Sequence, residues 1–301
     1  RPRLADSGVN PSAWRSRSLL RSSWCADASH RGPLRRSIEK LRSVWRSKQS
    51  VGRWKVVADT QVPGLHVCKD FLSLAEVKAL RLVLAAHQGW LLYHWGEIGK
   101  AGQQESALAS IIRRIDFGDE EMTAEGVAAA RSAVQPIGSL QLELIAMLEA
   151  RLRNAFQPWL WQDVEGANML QFTQISAGHC LGHHYDRRDK WREGIASMAW
   201  SDVGSEADER GEEWTLSMQC GHKKTPEERL HQVTLPPGAA YILSGSAQGR
   251  TSHCREHRVA HQVCTCCWTH GIWNDSQSPT TRQSITLRVY EPAWGRGTID
   301  N

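Results

Sequence analysis

The sequence predicts an α+β fold, mostly β, in which helices come first and a β core follows. Before Pro158 the apolar residues recur at helical spacing, as in 73–84 and 139–156. After Pro158 they fall into short runs separated by turn residues, a pattern that fits a barrel or a sandwich.

Val62 to Val67 reads as a short strand. Ser73-Leu74-Ala75-Glu76 then has the spacing of a capping box, in which hydroxyl and carboxylate each satisfy a backbone N–H at a helix start. Val77, Leu80 and Leu84 continue one stripe, and Gly89 suits the stop. A second helix is expected over Ser139–Phe156, with Leu140, Leu144, Met147, Leu148, Leu152 and Ala155 on one face. Strands are expected over 168–176, 194–202, 213–220, 231–235, 239–245 and 282–290, with turns at Ala177-Gly178 and Pro236-Pro237-Gly238.

The net charge of +5 is unevenly placed. Residues 1–53 hold 11 Arg and 2 Lys against Asp6, Asp27 and Glu39, so they carry +10 and the remainder −5. This Arg- and Ser-rich stretch has too little apolar periodicity to offset its ordering entropy. Three readings are open: a solvated tail, an organellar transit peptide, or an electrostatic arm for nucleic acid. No apolar run approaches the roughly 18 residues of a membrane span, so no transmembrane helix is expected. Four of the eight cysteines crowd into 254–267, unlike the spread of a secreted disulfide scaffold. A reducing, intracellular location is expected: nucleus or cytoplasm, or an organelle if the basic stretch is a transit peptide.

The chemistry-bearing residues lie in the β half. Along Arg-Gln-Ser-Ile-Thr-Leu-Arg-Val-Tyr, alternation puts Gln283, Ile285, Leu287 and Val289 on one face. Arg282, Ser284, Thr286, Arg288 and Tyr290 take the other. If that second face points inward, its arginines need an anion, for which a carboxylate ligand is the natural partner. If it points outward, water serves. His184 and Asp186, two apart at a strand end, point the same way and can share a cation. A second histidine would complete a site that leaves three positions open on an octahedral iron, as in non-haem Fe(II) oxygenases. His270, His253, His257 and His261 are the candidates. Cys254, His257, His261, Cys264, Cys266 and Cys267 could instead hold a structural zinc, although their spacing forms no paired knuckle.

The order of these parts resembles the AlkB-like branch of the 2-oxoglutarate/Fe(II) dioxygenases. It runs His184-x-Asp186, Leu235-Pro236-Pro237-Gly238, a strand ending Ser244-Gly245, Trp268-x-His270-Gly271-Ile272, then Arg282-x-Ser284-x-Thr286-x-Arg288. The resemblance covers roughly residues 61–291. It implies a double-stranded β-helix (jelly-roll) core, with Fe(II) held by His184, Asp186 and His270. It also implies 2-oxoglutarate held by Arg282, with Ser284 and Arg288 lining the same pocket. No catalytic residue beyond the metal ligands is implied. Oxygen and 2-oxoglutarate would be consumed to hydroxylate a C–H bond, and on an N-methyl group that leads to demethylation. Alkylated DNA or RNA is the first substrate class implied and methylated protein the second. Trp90, Tyr93, His94 and Trp95 fall where the family has lids over the substrate; core packing is the plainer reading for most of the fourteen tryptophans.

Three departures stand out. Thr173 and Ile175 occupy positions where the family has Asn and Tyr against the cosubstrate. The segment from Gly245 to His270 is long, so His253 competes with His270 as third ligand. The loop before Trp214 is long and acidic. The expected layout is a basic tail over 1–55 and one domain over 56–292 (helical and lid portion 56–165, β core 166–292), then a tail over 293–301. A monomer that does not touch a membrane is expected. The rival readings are a non-catalytic barrel that binds a small acid or a partner, and a zinc-stabilised interaction protein.

Overall fold

A computed structural model describes residues 54–85, 91–98, 104–113, 139–157, 159–161, 166–167, 169–186, 191–202, 212–220, 225–249, 268–273 and 280–289, with five residues between 35 and 43. Its strands are β1 (Val56–Ala58), β2 (Leu65–Cys68), β3 (Leu91–Ile98), β4 (Gln104–Arg113), β5 (Met169–Ile175), β6 (His179–His184), β7 (Ile195–Asp202), β8 (Trp214–Cys220), β9 (Leu230–Leu235), β10 (Ala240–Leu243), β11 (Trp268–Trp273) and β12 (Thr281–Arg288). The helices are α1 (Leu74–Ala85), α2 (Ser139–Phe156) and the single turn α3 (Pro226–Arg229).

The strands form two antiparallel sheets. The larger runs β1-β2-β10-β7-β12-β5-β4, with β3 on β4, and the smaller runs β6-β11-β8-β9. A short parallel pairing of β4 with β6 joins them. From β5 onward the chain winds back and forth between the sheets: β5, β7, β10 and β12 enter the larger, and β6, β8, β9 and β11 the smaller. This is the winding of a jelly roll.

Strand alternation divides the interior into two layers. One face of the larger sheet meets the helices. Ile285, Leu287, Met198, Trp200, Leu170 and Phe172 pack there with Val77 and Leu80 of α1 and Leu148, Leu152 and Phe156 of α2. Full burial of each such Leu or Phe contributes about 1.5–3 kcal/mol. The other layer lies between the sheets, where Ile175, Ile195, Leu216, Met218, Leu243, Trp268 and Ile272 pack together. Alternation therefore turns Arg282 and Ser284 toward this second layer, and each is only 2% exposed. The polar face of β12 is buried, which removes the reading in which water solvates it.

The helix expected over 139–156 forms over those residues. α1 begins after Ser73, whose N–H is accepted by the Glu76 carboxylate, the acidic half of the expected box. The same carboxylate is fully buried and pairs with Arg151 of α2, which also donates to the Phe71 carbonyl, so one guanidinium ties both helices to the chain before α1. Burial opposes ionisation of Glu76, but the Arg151 charge outweighs it and holds the carboxyl below its ordinary value.

Both expected turns form. Ala239 N–H bonds to the Pro236 carbonyl at 3.0 Å with Gly238 at φ +87°, the arrangement of a type II turn with Pro second and Gly third. A Cβ on Gly238 would also lie 2.5 Å from the Leu72 carbonyl oxygen. His179 N–H bonds to the Ser176 carbonyl at 3.0 Å around Gly178 at φ +74°, and this turn carries the chain from β5 into β6.

β1, β3, β4 and β11 are strands beyond those the sequence predicts, and of β6 the sequence predicts only a strand end near His184. The aromatic stretch expected as a lid contributes Tyr93, His94 and Trp95 to β3, while Trp90 lies outside the described residues. The Cys/His segment 253–267 and nearly all of the basic stretch 1–53 also lie outside them. No helix among the described residues is long and apolar enough to cross a membrane.

Candidate metal centre

β6 and β11 are neighbours in the smaller sheet, and their register sets His184 directly opposite His270. The two imidazoles meet at 4.3 Å between centroids, tilted by 53°. Asp186 lies two residues past His184, just beyond the end of β6, and its Oδ2 is 3.4 Å from His270 Nε2. One ligand atom from each of the three residues fits within a mutual distance of 4.8 Å, and it is the one such cluster among the described residues. Asp186 and His270 are 8% and 5% exposed, so the donors converge in a largely dry setting.

The surroundings orient two of the three donors. His184 Nδ1 lies 2.8 Å from the Gly182 carbonyl, so it carries the proton and leaves Nε2 with a lone pair for a cation. Asp186 Oδ1 accepts from Arg288 Nη2 at 3.1 Å, whereas Oδ2 has no hydrogen-bond partner among the described residues. Burial opposes ionisation of Asp186, but the Arg288 charge, with His270 and His184, outweighs it and keeps the carboxyl below its usual range. Burial first, then His184, pushes His270 down to about 3, so at neutral pH it is the uncharged imidazole a metal requires. His184 Nε2, the uncharged His270 and one ionised carboxylate with an unpartnered oxygen fit a divalent cation. The donor set is the facial triad that leaves positions open for substrates.

Arg288 is held in turn. Its Nη1 donates to Gln171 Oε1 at 2.7 Å, and its guanidinium lies over the Trp191 ring at 5.6 Å. The resemblance places Arg288 in a pocket with Arg282 and Ser284; its described contacts run to Asp186, Gln171 and Trp191.

Arg282 is different. Its Nη1 donates to Ser284 Oγ at 3.0 Å, and Nε and Nη2 have no partner among the described residues. Burial lowers its affinity for its proton, while the Tyr241 hydroxyl beside it favours the charge. A charged, buried guanidinium with two idle donors is a seat for an anion. On β5, the register sets Thr173 opposite Ser284 and Ile175 opposite Arg282. The two positions lacking Asn and Tyr therefore do face this seat, and Thr173 Oγ1 accepts from Gln171.

The structure thus brings His184, Asp186, His270 and Arg288 together and sets Arg282 with Ser284 on the same face of β12. His253 lies outside the described residues. Gln171, Trp191 and Tyr241 were not singled out from the sequence. Gln171 had one usable signal, its place two residues before Thr173 on the same strand face.

No protein-family profile matches the chain, and no curated protein matches it in sequence. Among solved structures, a prolyl-4-hydroxylase from Pseudomonas putida is similar at 16% identity and a TM-score of 0.38, over 86% of this chain and 99% of that one. OsALKBH1 is similar at 14% identity and a TM-score of 0.40, over 78% of this chain and 100% of that one. Likeness this slight assigns neither a family nor a reaction.

Proposed function

We propose that the chain is an Fe(II)- and 2-oxoglutarate-dependent dioxygenase built on a double-stranded β-helix. The observation that carries this reading is the convergence of His184, Asp186 and His270 between two sheets, with the unsatisfied Arg282 on the adjoining inward face. A site that only bound zinc for stability would be closed by a fourth protein ligand. Among the described residues there are three, plus a buried cation with no anion.

In this reading His184 Nε2, His270 Nε2 and Asp186 Oδ2 would hold the iron. When bound, iron and cosubstrate together would supply the oxidising chemistry, by which oxygen, 2-oxoglutarate and a substrate C–H bond give succinate, carbon dioxide and a hydroxylated product. The chain supplies position and electrostatics. Arg288 keeps Asp186 ionised and engages its Oδ1, which leaves Oδ2 as the oxygen that would meet a metal. The Gly182 carbonyl fixes the His184 tautomer. Arg282 and Ser284 take the far carboxylate of 2-oxoglutarate. Thr173 and Ile175 leave the β5 side of that seat with fewer polar groups than the family pattern.

The finer reading is oxidative demethylation of N-alkylated nucleic acid. It rests on the order and spacing of the motifs from His184 to Arg288, with the basic stretch 1–53 available to meet phosphates. It treats 56–292 as one catalytic domain in an intracellular, monomeric protein. The test is formaldehyde release from N-methylated oligonucleotides and, in parallel, N-methylated peptides, with Fe(II) and 2-oxoglutarate supplied. Release from oligonucleotides alone supports the nucleic-acid reading; release from peptides alone replaces it with a protein substrate.

A further inference from the structure

The contacts that hold Asp186 continue past Arg288 into β5. Arg288 Nη2 donates to Asp186 Oδ1 at 3.1 Å, and Nη1 of the same guanidinium donates to Gln171 Oε1 at 2.7 Å. Gln171 Nε2 donates in turn to Thr173 Oγ1 at 3.1 Å. Strand register explains the reach. Met169 stands directly opposite Arg288, so Gln171 is the diagonal neighbour of Arg288 on the same face, and Thr173 follows one side-chain repeat later. Arginine only donates, so the oxygen of the Gln171 amide must face Arg288 and its nitrogen must face Thr173. A flipped amide would set donor against donor at Arg288.

The other contact of Arg288 cannot fix its direction. The guanidinium lies over the Trp191 ring at 5.6 Å, and Nε has no hydrogen-bond partner among the described residues. A contact with a ring face leaves a guanidinium free to turn in its own plane. One hydrogen bond from each Nη, to Asp186 and to Gln171, removes that freedom. A neutral amide suits this task, because a carboxylate at 171 would compete with Asp186 for the same cation. Thr173, which stands where the family pattern has Asn, thereby gains a task of its own: it accepts from the amide and sets its orientation.

We infer that Gln171 is a positioning residue: by holding Arg288 Nη1 it fixes the guanidinium that leaves Asp186 Oδ2 aimed at the place where a metal would bind. This rests on the metal-binding part of the oxygenase reading and deepens it. Thr173 sets the amide, Gln171 sets the guanidinium and Arg288 sets the carboxylate. The effect of Thr173 and Gln171 on the metal therefore passes through Arg288, and it disappears once Arg288 is removed.

The test is Mn(II) titration of the full chain without 2-oxoglutarate, with urea unfolding of the metal-free protein in parallel. The variants are Gln171→Met, which keeps the length of the side chain and neither hydrogen bond, Arg288→Met, and the two combined. Gln171→Met is expected to weaken Mn(II) binding about tenfold, the low end for partners of a metal ligand. In the Arg288→Met background it should add no further loss, the signature of two residues acting as one. The visible absorption of Co(II)-loaded Gln171→Met should shift, because a turned carboxylate changes the ligand field and a packing defect elsewhere does not. Thr173→Val removes only the hydroxyl and covers an arginine variant that does not fold. It should weaken Mn(II) binding less than Gln171→Met does, and have no effect once residue 171 is Met. Wild-type Mn(II) affinity in Gln171→Met, whatever its stability, or losses that multiply in the combined variants, would overturn the inference and leave the metal site standing. Wild type that binds no Mn(II) would overturn the metal site, and this inference with it.

Discussion

Arg288 Nη2 lies 3.1 Å from Asp186 Oδ1, and the other oxygen of that carboxylate faces His270 Nε2 at 3.4 Å. One residue of β12 thus sets both the charge and the direction of the carboxylate that would bind a metal at the end of β6. Partners of this kind tune affinity without touching the metal. Arg288→Met is expected to weaken Mn(II) binding about 10–100-fold in a metal titration. In the metal-free protein it leaves Asp186 buried without its cation and lowers stability to denaturant by about 3–5 kcal/mol. Unchanged metal affinity would remove Arg288 from the site.

Arg282 should behave in the opposite sense. It is buried with two idle donors, so without ligand it costs stability. Arg282→Met removes that charge and keeps the volume. The metal-free variant is expected to be more stable than wild type by about 1–3 kcal/mol in urea unfolding. It should also lose the stabilisation that 2-oxoglutarate gives the wild type. A variant less stable than wild type would mean that Arg282 is satisfied within the fold.

Glu76 gives a prediction in pH. Its carboxyl is held below the ordinary value of 4.5, against the pull of burial, by Arg151. The unfolded chain therefore binds the proton first as pH falls. The stabilisation from Glu76 is complete above about pH 4.5 and is lost as pH drops through the lower folded value. Glu76→Gln should be less stable than wild type at pH 7, and the gap should close in acid. Asp59 and Asp186 shift in the same direction, so the variant keeps part of the acid sensitivity. A gap that is constant from pH 7 to pH 3 would contradict the assignment.

Gly238 combines a φ of +87° with a Leu72 carbonyl oxygen 2.5 Å from where a Cβ would stand. Gly238→Ala is expected to lower stability by about 1–3 kcal/mol, read from chemical unfolding. A neutral substitution would show that the turn relaxes without cost.

Much of this arrangement was legible in the sequence where local pattern decides structure. The stripe through Leu148 and Leu152 sufficed for α2, and short apolar runs between turn residues sufficed for β2, β5, β7, β8, β9, β10 and β12. The remaining strands lacked such a pattern. β6 reads His-Cys-Leu-Gly-His-His, with Gly182 in its middle, and β11 reads Trp-Thr-His-Gly-Ile-Trp. Each is a strand because its neighbours supply hydrogen bonds, which is long-range information. β3 and β4 depend on each other and on β5 in the same way. Alternation separated the two faces of β12 but could not say which was buried. That required β5 and β7 on its flanks and the smaller sheet opposite. His270 became the geometric partner of His184 only once β11 lay beside β6. Tyr241 reads as an ordinary core aromatic, because sequence does not reveal a phenol placed beside a buried guanidinium.

The central claim is that His184, Asp186 and His270 form an iron centre that consumes 2-oxoglutarate. The most direct measurement is oxygen-dependent succinate formation after anaerobic loading with Fe(II) and 2-oxoglutarate. It compares wild type, His184→Ala and His270→Ala, with His253→Ala as the control. The account predicts succinate from wild type and the control and none from the other two. Folded wild type that binds no iron and forms no succinate, even with methylated oligonucleotides present, would contradict it and favour a non-catalytic barrel.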